Sequence, residues 1–281
     1  MTWLEVEPGK RIFYSTIGDG SQVVVMPGGF YVEHEFEPLT DGRTIILLHQ
    51  RNRGRSDVFG EALSGIDREA DDIEAVRREL GADRISLIGW SYAGLVTALY
   101  ALEHPERVDR LVHLCSLGPR GFDYPDEGRP AIGAARIDPE GAKRVQDLQD
   151  EGVADEDPER FCREWRAVFG VRQFFEPSAI DRQRSDPCVY PNEWPQANAE
   201  RVGWLTPSIE RFDETERLAT LRARMLVVIG LDDQIPLEPA REMARIVPDA
   251  RLLELERCGH WPWLERPEVF FGQVDAFLAG D

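Results

Sequence analysis

The stretch Gly89-Trp90-Ser91-Tyr92-Ala93-Gly94 constrains this chain more than any other. Before it runs Arg84-Ile85-Ser86-Leu87-Ile88, a short apolar run that ends on a glycine and reads as a buried strand. After it runs Leu95-Val96-Thr97-Ala98-Leu99-Tyr100-Ala101-Leu102, free of Pro and Gly, which reads as a buried helix. A serine pressed between strand and helix is the setting of a nucleophile elbow, whose turn lifts the hydroxyl out of the sheet and leaves it at the positive end of the helix. The residues two before and two after must be small, and Gly89 and Ala93 are. The alternative is a plain Gly-Ser turn whose hydroxyl caps the helix.

The flanking pattern extends along the chain. Strands are expected at Trp3 to Glu7, Arg11 to Ile17 and Ser21 to Met26, then at Thr44 to Leu48. Ile66, Ala70, Ile73, Val76 and Leu80 recur at helical spacing before Gly81, and Val108 to Cys115 is again strand-like. This alternation predicts an α/β fold, a mostly parallel, doubly wound sheet with helices on both faces. After Gly118 the pattern changes. Residues 119–212 are rich in Pro, Asp, Glu and Arg and hold no strand-like run; helices are expected at 139–151 and 158–169, and 187–195 is irregular and aromatic. The sheet pattern resumes with a strand at 224–229, a helix at 238–246, a strand at 251–255 and a final helix carrying Val269, Phe270, Val274 and Phe277. The expected organisation is therefore a core in two parts, 1–118 and 213–281, interrupted by a helical cap at 119–212 that would set selectivity.

A formal net charge of −19 over 281 residues argues against nucleic acid or an anionic membrane as partner, since both require cationic neutralisation. The basic loop His49-Gln50-Arg51-Asn52-Arg53-Gly54-Arg55-Ser56 is one cluster in an acidic chain and does not reverse that expectation. The amino terminus lacks the basic and apolar regions of a signal peptide, and no apolar run is long enough to span a bilayer. Cys115, Cys162, Cys188 and Cys258 are scattered without CxxC pairing, which predicts reduced thiols and a cytoplasmic setting. No HExxH is present, Cys258-x-His260 is too sparse for zinc, and no Gly-rich phosphate loop accompanies a strand. Neither metal nor cofactor is expected, and the partner is a small-molecule substrate.

Three polar groups fall in loops after strands: Ser91, an aspartate after 225–229, and His260. In open α/β sheets ligands bind at the carboxyl ends of the strands. A serine hydroxyl needs a neutral imidazole to take its proton and a carboxylate to orient that imidazole. Of five histidines, His34 lies in a helical turn, His49 heads the basic loop, His104 ends a helix and His113 lies within a strand, which leaves His260. For the acid, Asp233 is preferred over Asp232 because it stands three residues past Gly230, the neighbour reading as a turn residue.

These features resemble the α/β-hydrolase superfamily over essentially the whole chain, and within it the proline iminopeptidase-like branch. Pro27-Gly28-Gly29 stands where that branch has His-Gly-Gly, residues 49–56 stand where it has Asp-Gln-Arg-Gly-x-Gly-x-Ser, and Gly259-His260 with Glu265 and Pro267 matches the surroundings of its histidine. The resemblance implies Ser91 as nucleophile, His260 as base and then acid, Asp233 as its orienter, and an oxyanion hole from the N–H groups of Tyr92 and Gly29. The departures are Pro27, His49, Asn52 and Ala93. Phe30, Trp90, Trp194 and Trp261 are candidate substrate-lining residues, with core packing the alternative. Glu193 is the candidate acid for a substrate's free amine. The expected activity is hydrolysis of a small ester, lactone or amide through an acyl-enzyme. An iminopeptidase, a lyase or cyclase on the same triad, and a non-catalytic receptor are the alternatives.

Overall fold

A computed structural model describes residues 1–280. Strands β1 (Thr2–Glu7) and β2 (Lys10–Ile17) form a hairpin across Pro8 and Gly9. They are followed by β3 (Gln22–Pro27), β4 (Arg43–His49), β5 (Ile85–Trp90), β6 (Val108–Leu114), β7 (Arg224–Gly230) and β8 (Ala250–Leu255). They build one eight-stranded sheet in the order β1-β2-β4-β3-β5-β6-β7-β8. β2 runs antiparallel to both β1 and β4, and every other neighbouring pair is parallel. The central strands are apolar at nearly every position because both faces of a parallel sheet are covered; all six residues of β5 are buried.

Side-chain alternation divides the core. Val25, Ile46, Leu87 and Val227 pack on one face with α1 (Ile66–Glu79) and α2 (Ala93–Glu103). Val24, Ile45, Ile88 and Val228 face the other way. Between β6 and β7 the chain is helical: α3 (Arg129–Ala134), α4 (Pro139–Asp150), α5 (Val153–Glu156), α6 (Pro158–Phe169), α7 (Pro195–Glu210) and α8 (Thr215–Leu218). After β7 come α9 (Glu238–Ile246), α10 (Pro262–Glu265) and α11 (Pro267–Ala279). α9 joins the first face, and α11 brings Phe270, Val274 and Phe277 to the second. Each such phenylalanine contributes about 1.5–3 kcal/mol by leaving water. α4 and α6 match the expected helices to within a residue, both capped by an aspartate, Asp138 and Asp157, ahead of a proline. α7 was not legible in the sequence because Pro207 lies inside it, and a proline there removes one helical hydrogen bond.

The tight contact at the end of β5 is steric. A Cβ on Gly89 would lie 2.6 Å from the Gly94 Cα, and one on Gly94 2.6 Å from the Ser116 Cβ. Ser91, between them, adopts φ 57°, a left-handed conformation that a side chain rarely tolerates.

The cysteines require a correction. Cys162 on α6 and Cys188 are disulfide-bonded, while Cys115 and Cys258 are free and buried. The expectation of four reduced thiols failed because a 26-residue separation carries no pairing signal, whereas the fold brings the two Cα atoms to 5.7 Å. No helix among the described residues is long and apolar enough to cross a membrane. Alkylation of the denatured, unreduced protein should modify two cysteines, and four only after reduction, as read by intact mass. Four modified cysteines without reductant would contradict the pairing.

Candidate active site

β5 and α2 present Ser91, the loop after β7 presents Asp233, and the loop between β8 and α10 presents His260. Asp233 and His260 are buried, and His260 Nδ1 lies 2.7 Å from Asp233 Oδ2. The Ile235 N–H donates to the other Asp233 oxygen at 3.1 Å, which fixes the carboxylate in its turn. The backbone that carries the imidazole is held from several sides. The His260 N–H donates to the Gln173 carbonyl (2.7 Å), the Trp90 indole N–H donates to the His260 carbonyl (2.9 Å), and the Gly259 N–H donates to Glu265 (2.6 Å). A carboxylate on Nδ1 leaves Nε2 as the proton-accepting nitrogen.

Ser91 and His260 line one cavity of about 260 Å³. The serine hydroxyl makes no hydrogen bond within the described protein, and no side chain caps α2. The hydroxyl is therefore not a helix cap. Nucleophile–base contacts commonly tighten only once substrate is bound. Tyr92 is the N-cap of α2 and Gly29 the first residue of a 3₁₀ turn, so neither N–H has an acceptor within its helix. Tyr92, Gly28 and Phe30 line the cavity, while the Gly29 Cα is pressed against β4, where a Cβ would lie 2.5 Å from the Leu47 carbonyl carbon.

Of the aromatic candidates, Phe30, Trp90 and Trp261 line this cavity. Trp194 does not; its indole N–H donates to the Cys188 carbonyl at 2.9 Å. Glu193 also lies behind the wall. It accepts from Arg53 Nε (3.0 Å) and Nη2 (2.7 Å), and from the Gly54 N–H (2.8 Å). Burial pushes its carboxyl up, but Arg53 more than offsets this and holds it below the usual range. The sequence reading missed Arg53, Arg166, Arg172, Gln50 and Gln173, all of which line the cavity. Arg53 belongs to the loop noted for its basic charge, and its charge proves to be directed inward.

A second cavity of about 400 Å³ meets the first at Ser91, Tyr92, Arg53 and Val202. Leu117, Phe122, Leu205, Ile209 and Ile235 line most of the rest of its wall, with Gln234 among them. Under the first cavity, Glu69 is buried; Gln50 Nε2 donates to it at 2.7 Å and to the Tyr92 hydroxyl at 2.6 Å. Burial pushes the Glu69 carboxyl up to about 7. His49, which stands where the iminopeptidase branch has an aspartate, is met by a carboxylate from elsewhere, with Glu33 Oε1 3.4 Å from Nε2. Cys115 brings its sulfur within 4.8 Å of donor atoms of Asp233 and His260. Burial raises that thiol well above its usual value, and Asp233 is already committed to the imidazole. Asp233 and His260 are thus paired with each other, with a protonated thiol beside them.

The comparisons agree with this architecture. The model of the alpha/beta hydrolase fold family matches residues 26–267, and the chain belongs to that family. It is similar to a 2-hydroxy-6-oxo-6-phenylhexa-2,4-dienoate hydrolase of Comamonas testosteroni, at 25% identity across 92% of this chain and 88% of that protein. A proline iminopeptidase of Heyndrickxia coagulans is 20% identical across 98% of this chain and 97% of its own length. The resemblance to the iminopeptidase branch is thus real, and the dienoate hydrolase is the more similar of the two. The crystal structure of a meta-cleavage product hydrolase superposes with a TM-score of 0.74 at 20% identity, covering 100% of this chain and 98% of that one. The protein is a hydrolase of the α/β-hydrolase superfamily.

Two outcomes follow. Glu193→Gln strands the Arg53 charge in a buried site and should cost about 3 kcal/mol of unfolding free energy; chemical denaturation showing no loss would contradict the pairing. The Glu69 carboxyl has a raised pKa in the folded protein, so its contribution to stability is full below about pH 4.5 and is lost as pH rises through about 7. Wild-type stability relative to Glu69→Gln should therefore fall across that window, and a pH-independent difference in melting temperature would contradict it.

Proposed function

We propose that the protein is a serine hydrolase that cleaves a small carboxylic ester, lactone or amide through an acyl-enzyme. Ser91 Oγ attacks the carbonyl carbon while His260 Nε2 takes its proton, and the imidazolium returns that proton to the departing group. Water then adds to the acyl carbon by the same route and frees Ser91. Asp233 holds the imidazole tautomer and offsets the charge it gains. The N–H groups of Tyr92 and Gly29 receive the oxyanion, each typically worth about 3 kcal/mol. Residues 119–212 act as a cap on the core formed by 1–118 and 213–281, and they supply Trp165, Arg166, Phe169 and Arg172 to the cavity wall.

The observation that carries this reading is the 2.7 Å bond between His260 and Asp233 beside the strained Ser91. An aminopeptidase is disfavoured because a substrate ammonium needs a free carboxylate, and Glu193 is committed to Arg53. A second reading, hydrolysis of a carbon–carbon bond next to a ketone, is favoured by the dienoate hydrolase likeness. It uses the same residues.

A fluorophosphonate should label wild-type protein at Ser91. Ser91→Ala should abolish both labelling and turnover of acyl esters with the fold intact by circular dichroism. Asp233→Asn should lower kcat by about 10³-fold or more. Labelling that persists in Ser91→Ala would end the assignment.

A further inference from the structure

The charge of the cavity is opposite to that of the protein. The chain carries 52 Asp and Glu against 33 Lys and Arg, yet no acidic residue lines the cavity beside Ser91, and three arginines do. Arg53 is neutralised by Glu193. Arg166 and Arg172 have no carboxylate within salt-bridge distance among the described residues. Arg166 is oriented by neutral groups, donating to Gln183 Oε1 at 2.9 Å and lying 5.7 Å from the Tyr31 ring. Arg172 lies 5.8 Å from the Trp165 ring, and burial alone lowers its pKa, with no neighbouring charge to raise it. A third cation, Arg201 on α7, is buried with its Nε and Nη2 lacking any hydrogen-bond partner, although the charges of Glu193 and Glu200 act on it.

Half-buried guanidinium groups without counter-charge are costly unless something supplies the anion. In so acidic a chain, neutralising carboxylates are abundant in the sequence but absent from this wall. The second cavity, which shares Ser91 with the first, is walled mainly by apolar side chains, Arg53 and Gln234 being its charged and amide exceptions. Resting on the serine hydrolase reading, we infer that the substrate carries a carboxylate held by Arg166 and Arg172, with its scissile carbonyl at Ser91 and an apolar group in the second cavity. Arg53 is the less suited anchor, since Glu193 takes its Nε and Nη2. A planar carboxylate matches the paired N–H donors of a guanidinium. The two arginines are thus specificity-determining residues, and the elbow lies between an ionic and an apolar subsite.

Two pairs of esters test this. In the first, the 4-nitrophenyl half-ester of glutaric acid is compared with its methyl-blocked diester. In the second, the butyrate ester of 4-hydroxybenzoic acid is compared with that of methyl 4-hydroxybenzoate. The free carboxylate should raise kcat/KM by about tenfold or more in at least one pair. Arg172→Gln and Arg166→Gln should each shrink that ratio, and Arg172→Lys should restore part of it. A ratio near one in both pairs, or one that survives both glutamine variants, would overturn the inference. If Ser91 resists fluorophosphonate and no ester is cleaved, the hydrolytic reading fails on its own. Calorimetric titration with glutarate then decides the anion site: weaker binding to Arg172→Gln than to wild type supports it, and equal or absent binding to both sinks it.

Discussion

Close packing at the carboxyl end of β5 is the constraint on which the rest depends. Strand and helix approach so tightly that neither Gly89 nor Gly94 has room for a Cβ, and the chain can turn only if Ser91 enters the left-handed region. A residue held there carries strain of order 1–3 kcal/mol, tolerated because the surrounding core determines the turn. β5 is buried throughout, and nine of the eleven residues of α2 are buried. The hydrophobic effect that covers the parallel sheet thus also holds the serine out over the cavity.

Around this turn, buried polar groups act in pairs. Asp233 serves His260, Glu193 serves Arg53, and Asp72 takes two hydrogen bonds from Arg51 at 2.8 and 2.7 Å. Such pairs add little net stability because desolvation cancels most of the attraction, but breaking one leaves a stranded charge. They therefore specify geometry. The Arg53–Glu193 pair ties the loop after β4 to the stretch just before α7, and the Cys162–Cys188 disulfide ties that stretch to α6. α6 in turn carries Trp165, Arg166 and Phe169 to the cavity, so its ionic wall is positioned by one ion pair and one covalent link.

Much of the fold was legible because periodicity is a local property. Runs such as Val23-Val24-Val25 and Met225-Leu226-Val227-Val228-Ile229 must be covered on both faces, and β3 and β7 are where they were expected. The elbow, the histidine in its glycine-flanked loop and the aspartate past Gly230 were legible for the same reason, since each sits at a predictable offset from a strand end. Less legible was everything set by a distant partner. Glu193 reads as a solvated or substrate-binding acid until Arg53, 140 residues earlier, is seen against it. Trp194 reads as a pocket aromatic until its indole is found on the Cys188 carbonyl. α7 was obscured by its own Pro207.

By itself, the sequence determined the order of strands and helices, the elbow, and the three residues arranged at one edge of the sheet. Those follow from apolar periodicity, glycine sterics and strand-end offsets, which act over a few residues. Only the tertiary structure decided which carboxylates are consumed by arginines, which cysteines pair, and that an acidic chain encloses a cationic cavity. Electrostatic and covalent partnership depends on distance in space, and a linear chain leaves that distance open until packing closes it.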